Sequence, residues 1–281
     1  MGTIGASGMT EKDRDLLRST FDQAAELYDR ARPGYPAALF DDLAELTAMG
    51  PGSRVLEIGP GTGQATRPLA ERGCRIVAVE LGADLAAVAR RNLAGFPSVE
   101  VVTAAFEDWP LPAEPFDLVL AATAFHWIDP SVRVDKVADA LRPGGSLATV
   151  TTDHVAGGDE SFFAEAQDCY VRWDPDTPVA VVLNPAADIP STHYGLDESD
   201  RFGPATLRRY EWDSSYTTAS YIDLLLTYSG HRALDSEAQS NLLECIARLI
   251  DTGYGGRITK RYLTEVRIAP TVGPGPKAAD S

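Results

Sequence analysis

Short apolar runs alternate with segments of helical periodicity along the first half of the chain. Five runs that are apolar and partly β-branched are typical of buried strands, at residues 55–58, 75–80, 99–103, 116–122 and 146–151. Apolar positions at helical spacing predict helices at 13–31, 36–48, 64–72, 84–93 and 131–141. This alternation predicts an α/β fold with a doubly wound, mostly parallel sheet.

The second half is less regular. Its patterns predict helices at 161–171, 217–228 and 236–251, and strands at 207–212 and 257–268, which bring the sheet to seven strands. Residues 172–204 are rich in Pro, Asp and Ser and have no clear period, so we interpret them as part of an insertion that covers a substrate.

Three glycines alternate directly after the first predicted strand. Gly59, Gly61 and Gly63 follow Glu57, and glycine allows a positive φ and a close approach of the backbone to a ligand. A strand, a tight turn and a helix N-terminus together form a nucleotide-type pocket at the carboxyl edge of a parallel sheet. The spacing does not fit the dinucleotide pattern Gly-x-Gly-x-x-Gly, because Gln64 stands where the third residue would fall.

The run Glu57-x-Gly59-x-Gly61-x-Gly63 resembles the first motif of class I S-adenosylmethionine-dependent methyltransferases of the small-molecule type, similar to trans-aconitate methyltransferase-like proteins. The runs FDLVLAATAFHW at 116–127 and LRPGGSL at 141–147 resemble later parts of that family. The resemblance covers residues 20–152 well and 205–268 loosely. It implies a Rossmann-like fold, S-adenosylmethionine as cofactor, and methyl transfer by in-line displacement to a carboxylate, hydroxyl or amine of a small organic acceptor.

The segment YDRARPGYP at 28–36 resembles the family's N-terminal entry. That resemblance implies that Tyr28, Arg32 and Tyr35 close over the methionine end of the cofactor. Arginine can pair with a carboxylate in a bidentate fork, and tyrosine rings can face a sulfonium. The alternative is a surface helix with packing aromatics and a solvated arginine.

Residues after the second and third strands are candidates for the nucleoside end. Glu80 can accept hydrogen bonds from both ribose hydroxyls, and Leu81 would flank the adenine. The family usually has an acid after the third strand, but Ala105 stands there, so we expect the backbone or ring of Phe106 to contact the adenine instead. Glu107 either caps the site or is solvated.

The end of the fourth strand lies beside the transferable methyl group in this family. Ala121 and Ala122 leave room for the cofactor there. His126 is either a general base, since its reference pKa suits proton transfer near neutrality, or a residue that orients the loop. Trp127 is a candidate wall of the pocket. Further candidate acceptor contacts are His154, His193 and Tyr194.

These assignments divide the chain into five parts. We predict a disordered N-terminus at 1–12, a helical cover at 13–50, the cofactor-binding core at 51–152, the substrate cover and completion of the sheet at 153–269, and a disordered tail at 270–281.

Composition narrows the class of partner. The 281 residues carry a net charge of −16, which repels nucleic acids and anionic membranes. The chain has no run of eighteen apolar residues and no signal peptide, so we expect a cytoplasmic protein. Cys74, Cys169 and Cys245 are far apart and lack metal-ligand spacing, so we expect buried thiols in a reducing compartment and no metal.

Two other functions compete with methyl transfer. A non-catalytic protein that binds S-adenosylmethionine or S-adenosylhomocysteine, or a scaffold with the same fold, would keep the glycine turn. An NAD-dependent oxidoreductase is disfavoured by the glycine spacing.

Overall fold

The computed structural model describes residues 24–174 and 182–272, so most of the helix predicted at 13–31 and nearly all of the two predicted disordered ends lie outside the described residues. The chain divides into two compact units. The sheet unit consists of 34–151, 191–209 and the described residues from 264 onward. The helical unit consists of the described parts of 1–33 and 152–190, together with 210–263.

The described residues form seven strands and nine α-helices. The strands are β1 Arg54–Ile58, β2 Arg75–Glu80, β3 Val99–Thr103, β4 Phe116–Ala122, β5 Leu141–Gly158, β6 Thr206–Thr217 and β7 Arg257–Pro270. The helices are α1 Ala25–Ala31, α2 Ala37–Thr47, α3 Thr66–Glu71, α4 Ala83–Asn92, α5 Arg133–Ala140, α6 Glu160–Trp173, α7 Thr218–Leu225, α8 Ser229–Ala233 and α9 Ser236–Gly253. Short 3₁₀ turns occur at Phe125–Trp127 and Ala186–Asp188.

The strands form one sheet in the order β3-β2-β1-β4-β5-β7-β6, which confirms the predicted fold class. Neighbouring strands from β3 to β5 are parallel. Chain order reverses between β1 and β4, and ligands of such sheets bind outside the carboxyl ends of the strands at this switch point. The fold therefore places the glycine turn, which follows β1, where a nucleotide pocket is expected.

Strand β5 begins earlier than the pattern predicts. The prediction placed its start at residue 146, because Pro143, Gly144 and Gly145 read as a helix-ending turn. In the structure Leu141 already pairs with Phe116, and the register shifts before Ser146 pairs with Leu118. The Pro-Gly-Gly residues are accommodated in this irregularity, which is where a strand tolerates such residues.

Apolar residues of the inner strands bury the core of the sheet unit. Leu56 and Ile58 of β1, Val119 of β4 and Leu147 of β5 are almost fully buried and belong to one cluster with Phe125. A strand that is covered on both faces carries such a continuous apolar run rather than an alternating one. The strands of the first half can therefore be recognised from the sequence by their apolar runs.

The helical unit has its own core. Phe162 and Cys169 of α6 pack with Tyr221 of α7 and with Ile246 of α9. Cys169 and Cys245 form a disulfide that joins α6 to α9, so the expectation of free thiols is wrong for these two residues. They are separated by 76 residues, and a pairing over that distance is created by helix packing rather than by local sequence. Cys74 is a buried free cysteine.

Among the described helices, none is long and apolar enough to cross a membrane.

Candidate cofactor site

The glycine turn depends on backbone conformations that other residues rarely adopt. Gly59, Gly61 and Gly63 have φ values of 67°, 60° and 99°. A Cβ on Gly59 would lie 2.7 Å from the Cβ of Ala124, and one on Gly63 would lie 3.1 Å from Leu93. Two of the glycines thus let the turn pack closely against the residues after β4 and after α4.

Glu80 links the end of β2 to this turn. Its Oε2 accepts the backbone N–H of Gly61 at 2.9 Å, and its Oε1 accepts the backbone N–H of Gly82 at 2.9 Å. The side chain is only 7% exposed. These bonds hold a carboxylate in one position at the carboxyl edge, where the sequence predicts a contact with ribose hydroxyls.

Glu57 lies in the interior beneath the turn. It is 1% exposed, and burial raises its pKa to about 7. The Thr66 hydroxyl opposes this shift, and the nearby charge of Glu80 adds to it. Glu57 is therefore a buried carboxyl whose Oε2 has no hydrogen-bond partner among the described residues.

The predicted adenine contacts differ in exposure. Leu81 is 40% exposed next to Glu80, as a wall residue of an open pocket would be. Phe106 is 3% exposed and packs in the core with Lys136 Nζ 5.4 Å from its ring centre, so in this structure its ring is not placed to stack on a ligand. Ala105 is half-buried, and the carboxylate of Glu107 accepts the backbone N–H of Asp129 at 3.2 Å, which favours a capping role over a solvated side chain.

The end of β4 carries a strained residue that the sequence did not reveal. Ala121 and Ala122 are buried, and Thr123 after them has a φ of 53°, which is unusual for a β-branched residue. The Thr123 hydroxyl lies 2.9 Å from the hydroxyl of Tyr35. Strain of this kind clusters at ligand sites. A threonine within a run of small residues does not predict it from the sequence.

His126 is a neutral imidazole near pH 7. It lies on the 3₁₀ turn after β4, its ring centre is 4.7 Å from that of Trp127, and Trp127 is half-buried. Burial lowers the pKa of His126 to about 4, and the positive charge of Arg133 contributes. Such a low pKa makes it a weak general base.

Tyr194 and His193 belong to two different clusters of the sheet unit. Tyr194 packs edge-on against Phe125 at 5.2 Å and accepts a hydrogen bond from Arg133 through its backbone carbonyl. His193 contacts Asp197, which also pairs with Arg267. Tyr194 therefore lies near the 3₁₀ turn that carries His126, whereas His193 is half-exposed within an ion-pair cluster.

Tyr28, Arg32 and His154 belong to the helical unit. The Arg32 guanidinium donates to the carbonyl of Thr227 at 3.2 Å and lies over the rings of Tyr28 and Tyr228 at 5.2 and 4.4 Å. The arginine is half-buried against aromatic rings, so the alternative of a solvated arginine is wrong, whereas its contact with the cofactor stays a prediction. His154 lines a cavity of this unit.

Known proteins resemble this chain over most of its length. The family described as "Methyltransferase domain" matches residues 56–149. Uncharacterized methyltransferases of Mycobacterium tuberculosis and Mycobacterium bovis are each 39% identical over 246 residues, which is 87% of this chain and 90% of theirs.

Two solved structures share the fold. A protein of Anaeromyxobacter dehalogenans described as a type II methyltransferase has a TM-score of 0.60 at 24% identity, over 86% of this chain and 99% of that one. A Haemonchus contortus phosphoethanolamine N-methyltransferase, solved with phosphomonomethylethanolamine and S-adenosylhomocysteine, has a TM-score of 0.50 at 18% identity, over 96% of this chain and 61% of that one.

The matches to known proteins include the residues that form the candidate site. The matched family segment contains the glycine turn, Glu80 and the end of β4. The Mycobacterium relatives extend the match to both units. This chain belongs to the class I S-adenosylmethionine-dependent methyltransferases, and S-adenosylmethionine is its cofactor.

Proposed function

We propose that this methyltransferase methylates a small organic acceptor and seats its cofactor on the carboxyl edge of β1, β2 and β4. The observation that carries the proposal is the position of Glu80. A carboxylate fixed by the N–H groups of Gly61 and Gly82 is a preorganised acceptor at the edge where a nucleoside binds.

The residues around Glu80 fit the chemistry of the cofactor. Leu81 offers an exposed apolar surface to the adenine, and the backbone of Phe106 is the candidate for hydrogen bonds to the adenine edge. The small side chains of Ala121 and Ala122 leave space at the end of β4. The hydroxyl pair of Tyr35 and Thr123 supplies polar groups in the same unit.

Bound S-adenosylmethionine supplies an activated methyl group, so the protein's work is to align the acceptor and to exclude water. Alignment of two reactants contributes on the order of 7–11 kcal/mol. A general base worth 10²–10⁴-fold contributes roughly 3–5 kcal/mol. The low pKa of His126 fits a reaction in which positioning dominates and His126 orients its loop.

The acidity of the chain supports a small acceptor over a nucleic acid. A net charge of −16 opposes the approach of a phosphate backbone, which nucleic-acid methylation would require. A small acceptor has no phosphate backbone, so this repulsion does not apply to a small carboxylate, alcohol or amine.

Isothermal calorimetry with S-adenosylhomocysteine, and with NAD as the comparison ligand, tests the cofactor site. We expect micromolar binding of S-adenosylhomocysteine alone, and loss of that binding in Gly61→Val. Gly50→Val is the matched control, because a Cβ at Gly50 meets nothing within 4 Å. Equal affinity for both ligands, or an unchanged affinity of Gly61→Val for S-adenosylhomocysteine, would overturn the proposed cofactor site.

Transfer of radiolabelled methyl groups to pools of small carboxylic acids, alcohols and amines tests the acceptor. We expect label in at least one pool. Tight cofactor binding without transfer to any pool would favour the non-catalytic cofactor-binding protein.

A further inference from the structure

The helical unit contains a cavity of about 50 Å³, and none of its lining residues is among the predicted cofactor contacts. Its walls come from β5, α6, α7, α8 and β7 and from the residues between α7 and α8. The polar lining residues are His154, Gln167, Tyr170, Tyr228, His231 and Lys260. A volume of this size holds about four water molecules, or a group of similar size.

Several buried polar atoms of this lining lack partners. Within the described part of the chain, His154 Nε2, His231 Nδ1 and Gln167 Oε1 are buried and make no hydrogen bond. Folded proteins leave few such atoms unsatisfied. Three of them around one cavity indicate that the lining is built for a polar ligand.

Lys260 is a buried cation that lies against two tyrosine rings. It is 5% exposed, its Nζ lies 3.4 Å from the Tyr228 hydroxyl, and its Nζ lies 4.9 and 5.6 Å from the ring centres of Tyr262 and Tyr228. Among the described residues no carboxylate lies within ion-pair distance of it. Burial of an ammonium without an anion is strongly unfavourable, so this arrangement calls for an anionic partner.

A second cation strengthens the positive field on Tyr228. The Arg32 guanidinium lies 4.4 Å from the Tyr228 ring centre and has no carboxylate partner among the described residues. Burial raises the pKa of Tyr228, but Lys260 and Arg32 together outweigh burial and bring the pKa below its usual value. The hydroxyl is therefore a strong hydrogen-bond donor.

The two histidines contribute neutral rings. Burial lowers the pKa of His154 to about 2 and that of His231 to about 4. Asp174 acts on His231 in the opposite direction, and its negative charge also reaches Tyr170. His231 Nε2 already shares a hydrogen bond with the Tyr170 hydroxyl at 2.9 Å, which leaves Nδ1 for a ligand.

We propose that this cavity binds the carboxylate of a small organic acid, with the Lys260 ammonium and the Tyr228 hydroxyl as donors. The unpartnered ring nitrogens of His154 and His231 complete the donor set, and Gln167 Oε1 accepts a hydrogen from a hydroxyl or amine of the acid. The cavity holds a group the size of acetate or glycolate. This carboxylate site does not rest on the proposed function.

Calorimetric titration with matched acids and amides tests the site. The probes are acetate and glycolate against acetamide and glycolamide, which have the same shape but no charge. We expect each acid to bind the wild-type protein at least tenfold more tightly than its amide, and glycolate to bind more tightly than acetate. In Lys260→Met the preference for acids should fall below threefold.

Arg248→Met is the matched control, because it removes one positive charge from the exposed face of α9 in the same unit. It should keep the wild-type preference for acids. The Tm of ligand-free Lys260→Met should equal or exceed that of wild type, because a purely structural lysine would lower the Tm when it is lost. A lower Tm combined with equal binding of acids and amides would overturn the proposal.

Titration with S-adenosylhomocysteine separates this proposal from the proposed function. If S-adenosylhomocysteine binds wild type and Lys260→Met alike but no acid binds wild type, the carboxylate site is wrong and the cofactor seat stands. If the acids bind but S-adenosylhomocysteine does not, the cofactor seat fails while the carboxylate site stands.

Discussion

Glu80 accepts the backbone N–H of Gly61 at 2.9 Å, and this bond ties the end of β2 to the turn after β1. Glu80→Ala should weaken S-adenosylhomocysteine binding by roughly 1–3 kcal/mol, the scale for lost charge-assisted hydrogen bonds. The affinity of Glu80→Gln for S-adenosylhomocysteine should lie between those of wild type and Glu80→Ala, since glutamine keeps the shape of the side chain but not its charge. Calorimetry provides the measurement, with circular dichroism to verify the fold.

Glu100→Gln is the control for Glu80, because Glu100 is an exposed glutamate on the neighbouring strand β3. It should bind like wild type. If Glu80→Ala does so as well, Glu80 has no role at the ribose.

The close contact between Gly59 and Ala124 predicts a position intolerant of any side chain. Gly59→Ala should lower the free energy of unfolding by about 1–3 kcal/mol, through a contact at 2.7 Å and a positive φ. Ala124→Gly in the same protein should restore part of the loss by removing the clashing methyl. Urea unfolding measures all variants, and Gly50→Ala should change the free energy by less than about 0.5 kcal/mol. An equal loss at Gly50 would show that the effect is not local packing.

The hydroxyl pair of Tyr35 and Thr123 should stabilise the edge of the sheet. Tyr35→Phe or Thr123→Val should each reduce the free energy of unfolding by about 1 kcal/mol. If the two hydroxyls act on each other, the double variant should lose less than the sum of the single losses. Full additivity in the thermodynamic cycle would mean that the 2.9 Å contact contributes nothing by itself.

The raised pKa of Glu57 predicts a stability change with pH. A carboxyl whose pKa is higher in the folded state, here about 7, stabilises the fold fully below its unfolded pKa and loses this contribution as pH rises through the folded value. The free energy of unfolding of wild type should therefore fall by roughly 2–3 kcal/mol relative to Glu57→Gln between about pH 4.5 and pH 7. Denaturant unfolding of both proteins across this range tests the sign, and parallel curves would contradict the buried carboxyl.

The disulfide between Cys169 and Cys245 predicts the thiol count. Denatured protein without reductant should expose one thiol, that of Cys74, and reduced protein should expose three. Reduction should destabilise the protein by about 4 kcal/mol, because the bond closes a long loop. Cys74→Ala should stay sensitive to reductant, whereas Cys169→Ser should not. Three thiols without reductant would contradict the bond.

The sequence alone determined the fold class and the position of the glycine turn at the carboxyl edge of the sheet. Buried parallel strands such as β1 and β4 have continuous apolar runs, which can be recognised in the sequence. The alternating glycines after Glu57 can also be recognised there, because they adopt conformations that few other residues adopt. The position of Glu80 follows from the same logic, because the end of β2 must meet the edge at which β1 ends.

Tertiary structure decided what distant residues do together. The cavity joins His154, Gln167, Tyr228 and Lys260, whose separation in the chain gives no local pattern, and the same holds for the pairing of Cys169 with Cys245. Burial also lowers the pKa of His126, and packing places the ring of Phe106 in the core. Both effects depend on tertiary packing rather than on the adjacent residues in the sequence. Local conformational preference can be inferred from the sequence, whereas the proximity of distant side chains and their desolvation arise only when the chain has folded.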